Sequence, residues 1–165
     1  MDARSEAQLA TVNPDLAAKV RAAADSLALN GTYLLVVSGL RTPDQQNTLY
    51  AQGRTAPGHI VTNAKAGQSM HNYGLAVDIV PYLSGQTGNL NWQPDTPQFQ
   101  AMVAALKAQN LTWGGDWVSI KDYDHFQMSD LPVSPNAAME ADYGAGDQAA
   151  LQSIWTNAND GKYSA

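Results

Sequence analysis

The sequence contains no cysteine. Disulfide frameworks, thiolate zinc sites and cysteine nucleophiles are therefore excluded together. Histidine is scarce too, with three residues in a chain of 165. A metal site must draw on His59, His71 and His125 with carboxylates beside them. Basic residues are outnumbered, 9 Lys+Arg against 15 Asp+Glu, for a formal charge of −6. That balance argues against a general nucleic-acid binder and against direct binding to anionic membranes. No run approaches the ~20 apolar residues of a membrane span. The opening Met1-Asp2-Ala3-Arg4-Ser5-Glu6 carries mixed charge with no apolar signal core after it, so synthesis in the cytoplasm without a signal peptide is expected. Internal repeats and low-complexity linkers are absent, and 44% of the residues are hydrophobic, so a single domain over 1–165 is expected.

What is present is a series of helix starts marked by a capping residue and proline. Asn13-Pro14 opens a segment with Leu16, Val20, Ala24 and Leu27 at helical spacing, stopped by Asn30-Gly31. Thr42-Pro43-Asp44-Gln45 carries a capping box for a helix to about Gly53. Thr96-Pro97 opens a third helix and Ser134-Pro135 a fourth, while Leu151, Ile154 and Trp155 mark a fifth. Ser5 with Gln8 predicts a short initial helical turn. Strands are expected at 32–38, too apolar to be an edge, and at 75–80, 111–113 and 125–128. Residues 54–70 and 82–95 read as long loops, a place where function often sits. With too few βαβ units for a doubly wound sheet, the pattern predicts an α+β fold with a small, mainly antiparallel sheet flanked by helices.

Asp78 interrupts the apolar strand Leu75–Val80 in its middle. A carboxylate there needs a partner, a hydrogen bond or a metal, because burying an unpaired charge costs several kcal/mol. The alternative is an Asp on the solvent face of an edge strand. His71 precedes it by seven residues, and Asn72-Tyr73-Gly74 can turn the chain so that both side chains reach one point. His125 opens a later apolar strand and offers a second imidazole. Two His and one carboxylate leave a coordination position open, as in catalytic zinc sites, although this donor set also suits iron or manganese. Asp122, three residues before His125, is in reach as a general base. His59, in the loop Pro57-Gly58-His59-Ile60, is expected to be exposed and not a ligand.

Ser69-Met70-His71-Asn72-Tyr73-Gly74-Leu75-Ala76-Val77-Asp78 resembles the S-x-H-x-x-G-x-A-x-D signature of the LAS metallopeptidases, a group with a hedgehog/D-Ala-D-Ala peptidase-like fold. Asp122-x-x-His125 resembles the second signature, and Ser38-Gly39-Leu40-Arg41-Thr42 the segment that carries an active-site Arg. Trp113-Gly114-Gly115-Asp116-Trp117 and Asp122-x-x-His125-Phe126-Gln127 are similar to the phage and bacterial L-alanyl-D-glutamate branch. The likeness runs in order from about residue 5 to residue 128, leaving 131–165 as a C-terminal helical extension of unassigned role.

This resemblance implies one zinc ion held by His71, Asp78 and His125, with Asp122 as general base. Arg41 would stabilise the oxyanion or orient substrate, and Ser69 and Asp116 would support the ligands. The family pattern has Pro before the last His where this chain has Asp124, which brings a second acidic group near the site. In an extended strand Asp124 would face away from His125, so Asp122 is the expected base. The implied function is a zinc peptidoglycan endopeptidase that cuts the L-alanyl-D-glutamate bond of the stem peptide. The implied setting is a monomeric phage endolysin, made in the host cytoplasm and reaching the periplasmic wall through a holin. Alternatives are a D-alanyl-D-alanine carboxypeptidase or dipeptidase of the same fold, and a non-catalytic binding module. A lysozyme-like glycosidase would need two carboxylates and no metal.

Overall fold

The computed structural model describes residues 1–118, 120–144 and 148–164. Its helices are α1 (Ala3–Leu9), α2 (Pro14–Ala28), α3 (Pro43–Ala51), α4 (Pro97–Ala108), α5 (Ala137–Tyr143) and α6 (Gln148–Asn159), and its strands are β1 (Leu34–Ser38), β2 (Ala76–Pro81), β3 (Leu111–Trp113) and β4 (His125–Met128). They fall into two compact units, Met1–Gly39 with Ala76–Ser129, and Leu40–Leu75 with Asp130–Ala165.

The first unit is built on one four-stranded sheet, in the order β1-β2-β4-β3, with every pair antiparallel. This is the expected α+β class. α2 packs on α4, and α4 covers β2 and β3. The cap-and-proline signals hold at Asn13, Thr42 and Thr96, each of whose side chains accepts a backbone N–H in the first turn. Leu16, Val20, Ala23 and Leu27 of α2 and Phe99, Met102 and Leu106 of α4 are buried by that packing. Each such Leu or Phe contributes about 1.5–3 kcal/mol.

One expectation fails here and one holds, and α1 lies behind both. β1 lies at the edge of the sheet despite its apolar sequence, because α1 covers it. The short initial helix expected around Ser5 and Gln8 is α1. Asp2 caps it, accepting from Ser5 N at 2.7 Å. The Ser5 hydroxyl is buried and instead accepts the Val36 N–H at 3.0 Å, and Gln8 Oε1 accepts the Gly39 N–H at 2.9 Å. An edge whose donors are satisfied by a helix no longer needs polar side chains to protect it.

In the second unit, side chains of α3 pin the long loop that follows it. Gln46 Nε2 donates to Ala64 O (2.8 Å), and Asn47 Oδ1 accepts from Ala66 N (3.2 Å). Arg54 donates to Tyr50 O, Thr62 O and Asn63 Oδ1 while stacking over the Tyr50 ring at 4.1 Å. α5 packs on α6. Asn136, not Ser134, caps α5, since its side chain accepts from Met139 N. Trp155 Nε1 donates to Tyr73 O at 2.8 Å, and the Tyr143 ring lies 4.5 Å from the Tyr73 ring.

Candidate metal centre

Asp78 lies in β2, a central strand, so the solvent-face reading of this carboxylate does not hold. Its neighbour across the β2–β4 ladder is His125. Opposed residues of an antiparallel pair share a face of the sheet. Asp78 Oδ1 and His125 Nδ1 accordingly stand 3.6 Å apart, with side-chain exposures of 15% and 6%. That separation is too long for a hydrogen bond. Two ligands at tetrahedral angles on a metal, with bonds of about 2.0–2.1 Å, stand roughly 3.4 Å apart. The pair is thus spaced as joint ligands are.

His71 sits in the 3-10 turn Met70–Tyr73, which Ser69 caps through its hydroxyl on His71 N (3.3 Å). Gly74 follows at φ 62°, a left-handed conformation that reverses the chain into β2 and that other residues adopt at a cost. Among the described residues, a ligand atom from each of His71, Asp78 and His125 lies within 4.8 Å of the others. Two imidazoles and one carboxylate with no thiolate form a donor set that can hold a metal ion. His59 is exposed and outside this group.

The segment leading to His125 is shaped by Trp113-Gly114-Gly115-Asp116-Trp117. Gly114 O accepts from Asp122 N at 3.2 Å, and Trp113 Nε1 donates to Tyr123 O at 2.6 Å. A Cβ placed on Gly114 would meet Asp122 O at 2.4 Å and the Cβ atoms of Asp122 and His125 at 3.1 Å each. The side chains of Asp122 and His125 therefore both start against Gly114, which lets a carboxylate three residues upstream approach the imidazole. Gly115 likewise leaves room for the Trp113 ring, 2.3 Å from where its Cβ would be. The Trp117 ring lies 4.9 Å from that of His125. This spacing role of the two glycines was not legible beforehand; the motif alone does not say which atoms approach.

Asp124 departs from its expected orientation. It lies in a bend before β4, not within the strand, so alternation does not govern it. Its carbonyl accepts from Ile79 N at 2.8 Å. Burial foremost, then the charge of Asp78 and the Asp122 carboxyl, push the Asp124 carboxyl up to about 7. Its side chain thus faces the same acidic group as Asp122. Burial opposes charge on the His125 imidazole most strongly, but Asp78, Asp122 and Gln127 together hold its pKa above the ordinary value.

Arg41 is clamped by its backbone to the turn bearing His71. Arg41 N donates to His71 O (2.9 Å), and Asn72 Nδ2 donates to Arg41 O (2.8 Å). Its guanidinium donates to Gln46 Oε1 at 2.9 Å. Asp116 is exposed, with Oδ2 2.6 Å from Lys107 Nζ.

With this geometry in hand, the chain can be compared with known proteins. A family model described as D-alanyl-D-alanine carboxypeptidase matches residues 62–128. The chain is 38% identical over 128 residues to the peptidoglycan L-alanyl-D-glutamate endopeptidase CwlK of Bacillus subtilis, across 71% of this chain and 75% of that protein. It is 31% identical over 125 residues to an L-alanyl-D-glutamate peptidase of Escherichia phage T5, across 72% of this chain and 82% of the relative. The crystal structure of the L-Ala D-Glu endopeptidase ChiX of Serratia marcescens matches with a TM-score of 0.53 and 26% identity, over 78% of this chain and 88% of that one. The span matched by the family model contains His71, Asp78 and His125. By relatives, fold and donor set alike, this chain belongs to the LAS metallopeptidase family.

Proposed function

We propose that this chain is a zinc endopeptidase that hydrolyses the L-alanyl-D-glutamate bond of the peptidoglycan stem peptide. The observation that carries the reading is the convergence of His71, Asp78 and His125 on one point with Asp122 starting beside His125. These three residues would hold one zinc ion, which supplies Lewis acidity to a hydrolytic site. Asp122 takes the proton of the attacking water and delivers it to the departing amine, work typically worth about 10²–10⁴-fold in rate. Arg41, carried on the backbone clamp to the His71 turn, offers a cation to the carbonyl oxygen as negative charge gathers there. Ser69 holds the His71 turn through its cap, and Asp116 supports the Gly114–Trp117 segment from outside through Lys107.

The choice of the L-alanyl-D-glutamate bond is supported by the names of the relatives in Bacillus subtilis and phage T5. The phage source of one relative supports a role in host lysis. As further parts of the same proposal, the protein acts as a monomer, is made in the cytoplasm, reaches wall peptides in the periplasm through a holin, and uses 1–165 as one catalytic domain. No described helix is long and apolar enough to cross a membrane. A second reading, D-alanyl-D-alanine carboxypeptidase, is favoured by the description of the matching family model. Mass spectrometry of fragments released from purified peptidoglycan decides between them. A new N-terminus on D-glutamate supports the proposal; release of free D-alanine alone overturns it. Digestion that survives chelation with metal shown to be absent overturns both.

A further inference from the structure

Gln127 is 1% exposed in the middle of β4, between Phe126 and Met128, both of them buried apolar residues. A primary amide there is a costly choice for a core strand unless its polar atoms are satisfied. Two residues apart on one strand, His125 and Gln127 point to the same face. Gln127 Oε1 stands 3.0 Å from His125 Nε2. The other ring nitrogen, Nδ1, is the one that faces Asp78 Oδ1 at 3.6 Å. An amide oxygen only accepts, so this contact requires the proton on Nε2. The lone pair of the neutral ring is then on Nδ1, directed at the position where Asp78 also points.

We infer that Gln127 is a positioning residue for metal binding: it holds the His125 ring and its Nε2–H tautomer, so that Nδ1 is the ligand atom presented alongside Asp78. The inference rests on the metal-site reading above and extends it to a residue outside the ligand set. Metal-bound imidazoles gain affinity from a partner on the second nitrogen, and loss of that partner typically lowers affinity about 10–100-fold. The β4 register adds a reason for the rigidity. Gln127 pairs with Ala76 on one side and Thr112 on the other, so its backbone is fixed by two ladders before its side chain reaches the ring.

The test uses the full chain labelled with ¹⁵N-histidine and loaded with zinc. In the wild type, His125 should show a slowly exchanging proton on Nε2 and zinc on Nδ1. A protonated Nδ1 with Nε2 as ligand overturns the inference without any variant. Gln127→Met keeps length and volume but lacks a strong acceptor; its zinc dissociation constant, by chelator competition, should rise about 10–100-fold, and the Nε2–H signal should broaden or vanish. Gln127→Glu restores an acceptor and should restore both signals and affinity. Melting of the chelated proteins separates these effects from a loss of fold. Wild-type affinity and an intact Nε2–H signal in Gln127→Met would overturn the inference. Failure of the wild type to bind zinc at all would instead overturn the metal-site reading itself.

Discussion

Gly114→Ala isolates the geometry of the Asp122–His125 segment in one methyl group. The backbone at Gly114 is ordinary, with no left-handed φ, so alanine brings no conformational strain of its own. What it brings is a Cβ 2.4 Å from the Asp122 carbonyl oxygen and 3.1 Å from the Asp122 and His125 Cβ atoms. Contacts of this kind settle near 3.5 Å, so the Asp122 carbonyl must retreat by about 1 Å. Overpacking of that order costs about 1–3 kcal/mol. For a chain of this size, that lowers Tm by roughly 2–12 °C. The rate should suffer more, because a displacement of about 1 Å in a catalytic group can cost about 10²-fold. The assay pairs thermal melting with peptidoglycan hydrolysis at matched metal content. Gly31→Ala is the control: its φ of 75° penalises alanine, yet nothing lies within 4 Å of the added carbon. That variant should lose about 1–2 kcal/mol and none of the rate. The reasoning is refuted if Gly114→Ala keeps wild-type rate and Tm, or if both variants lose the same rate.

Asp122→Asn should keep metal and fold while losing about 10²–10⁴-fold in rate; Asp124, whose carboxyl is buried near Asp78 and Asp122, is the rival, and a larger loss in Asp124→Asn, measured at equal zinc content, would reassign the base to it. Chelation should abolish hydrolysis and lower Tm, because metal binds the folded chain, and His59→Ala should retain full metal occupancy by elemental analysis. The Arg21 guanidinium, bonded to Glu6 at 2.7 Å, holds the Glu6 carboxyl below its ordinary value of 4.5. A lowered carboxylate pKa stabilises the fold above the unfolded value, and that contribution fades as pH falls through the folded one. Glu6→Gln should therefore lower Tm slightly at pH 7, and the gap to wild type should close in melts taken below about pH 4.

The elements that read cleanly from sequence were those with short-range causes. Asn13-Pro14, Thr42-Pro43 and Thr96-Pro97 satisfy first-turn N–H groups within three residues, and a local pattern shows a local bond. The cluster of His71, Asp78 and His125 was legible because Asp78 is out of place in an apolar strand and histidine is rare. What was not legible depends on partners far along the chain. Ser5 and Gln8 announce a short initial helix, but nothing local shows that the Ser5 hydroxyl serves Val36, 31 residues away. The apolar β1 resembles an interior strand until α1 is seen along its edge. Asp124 was assigned by strand alternation one residue before the strand begins, where a bend turns its carboxyl toward Asp78 and Asp122. Gln127 stood at the end of the His125-Phe126-Gln127 run, but the run alone does not say that its amide meets the His125 ring.

The hydrogen bond from Trp155 to the Tyr73 carbonyl has a consequence for the order in which the protein is made. Translation delivers Ser69, His71 and Asp78 early, and His125 some fifty residues after them. The turn that carries His71 nevertheless lacks one of its donors until residue 155 has left the ribosome, with Tyr143 arriving shortly before to pack on the same ring. A nascent chain that already holds His71, Asp78 and His125 is thus still short of the brace beneath the first of them. Completion of α6, and not emergence of His125, is the event after which the His71 turn has both its Trp155 hydrogen bond and its Tyr143 ring contact.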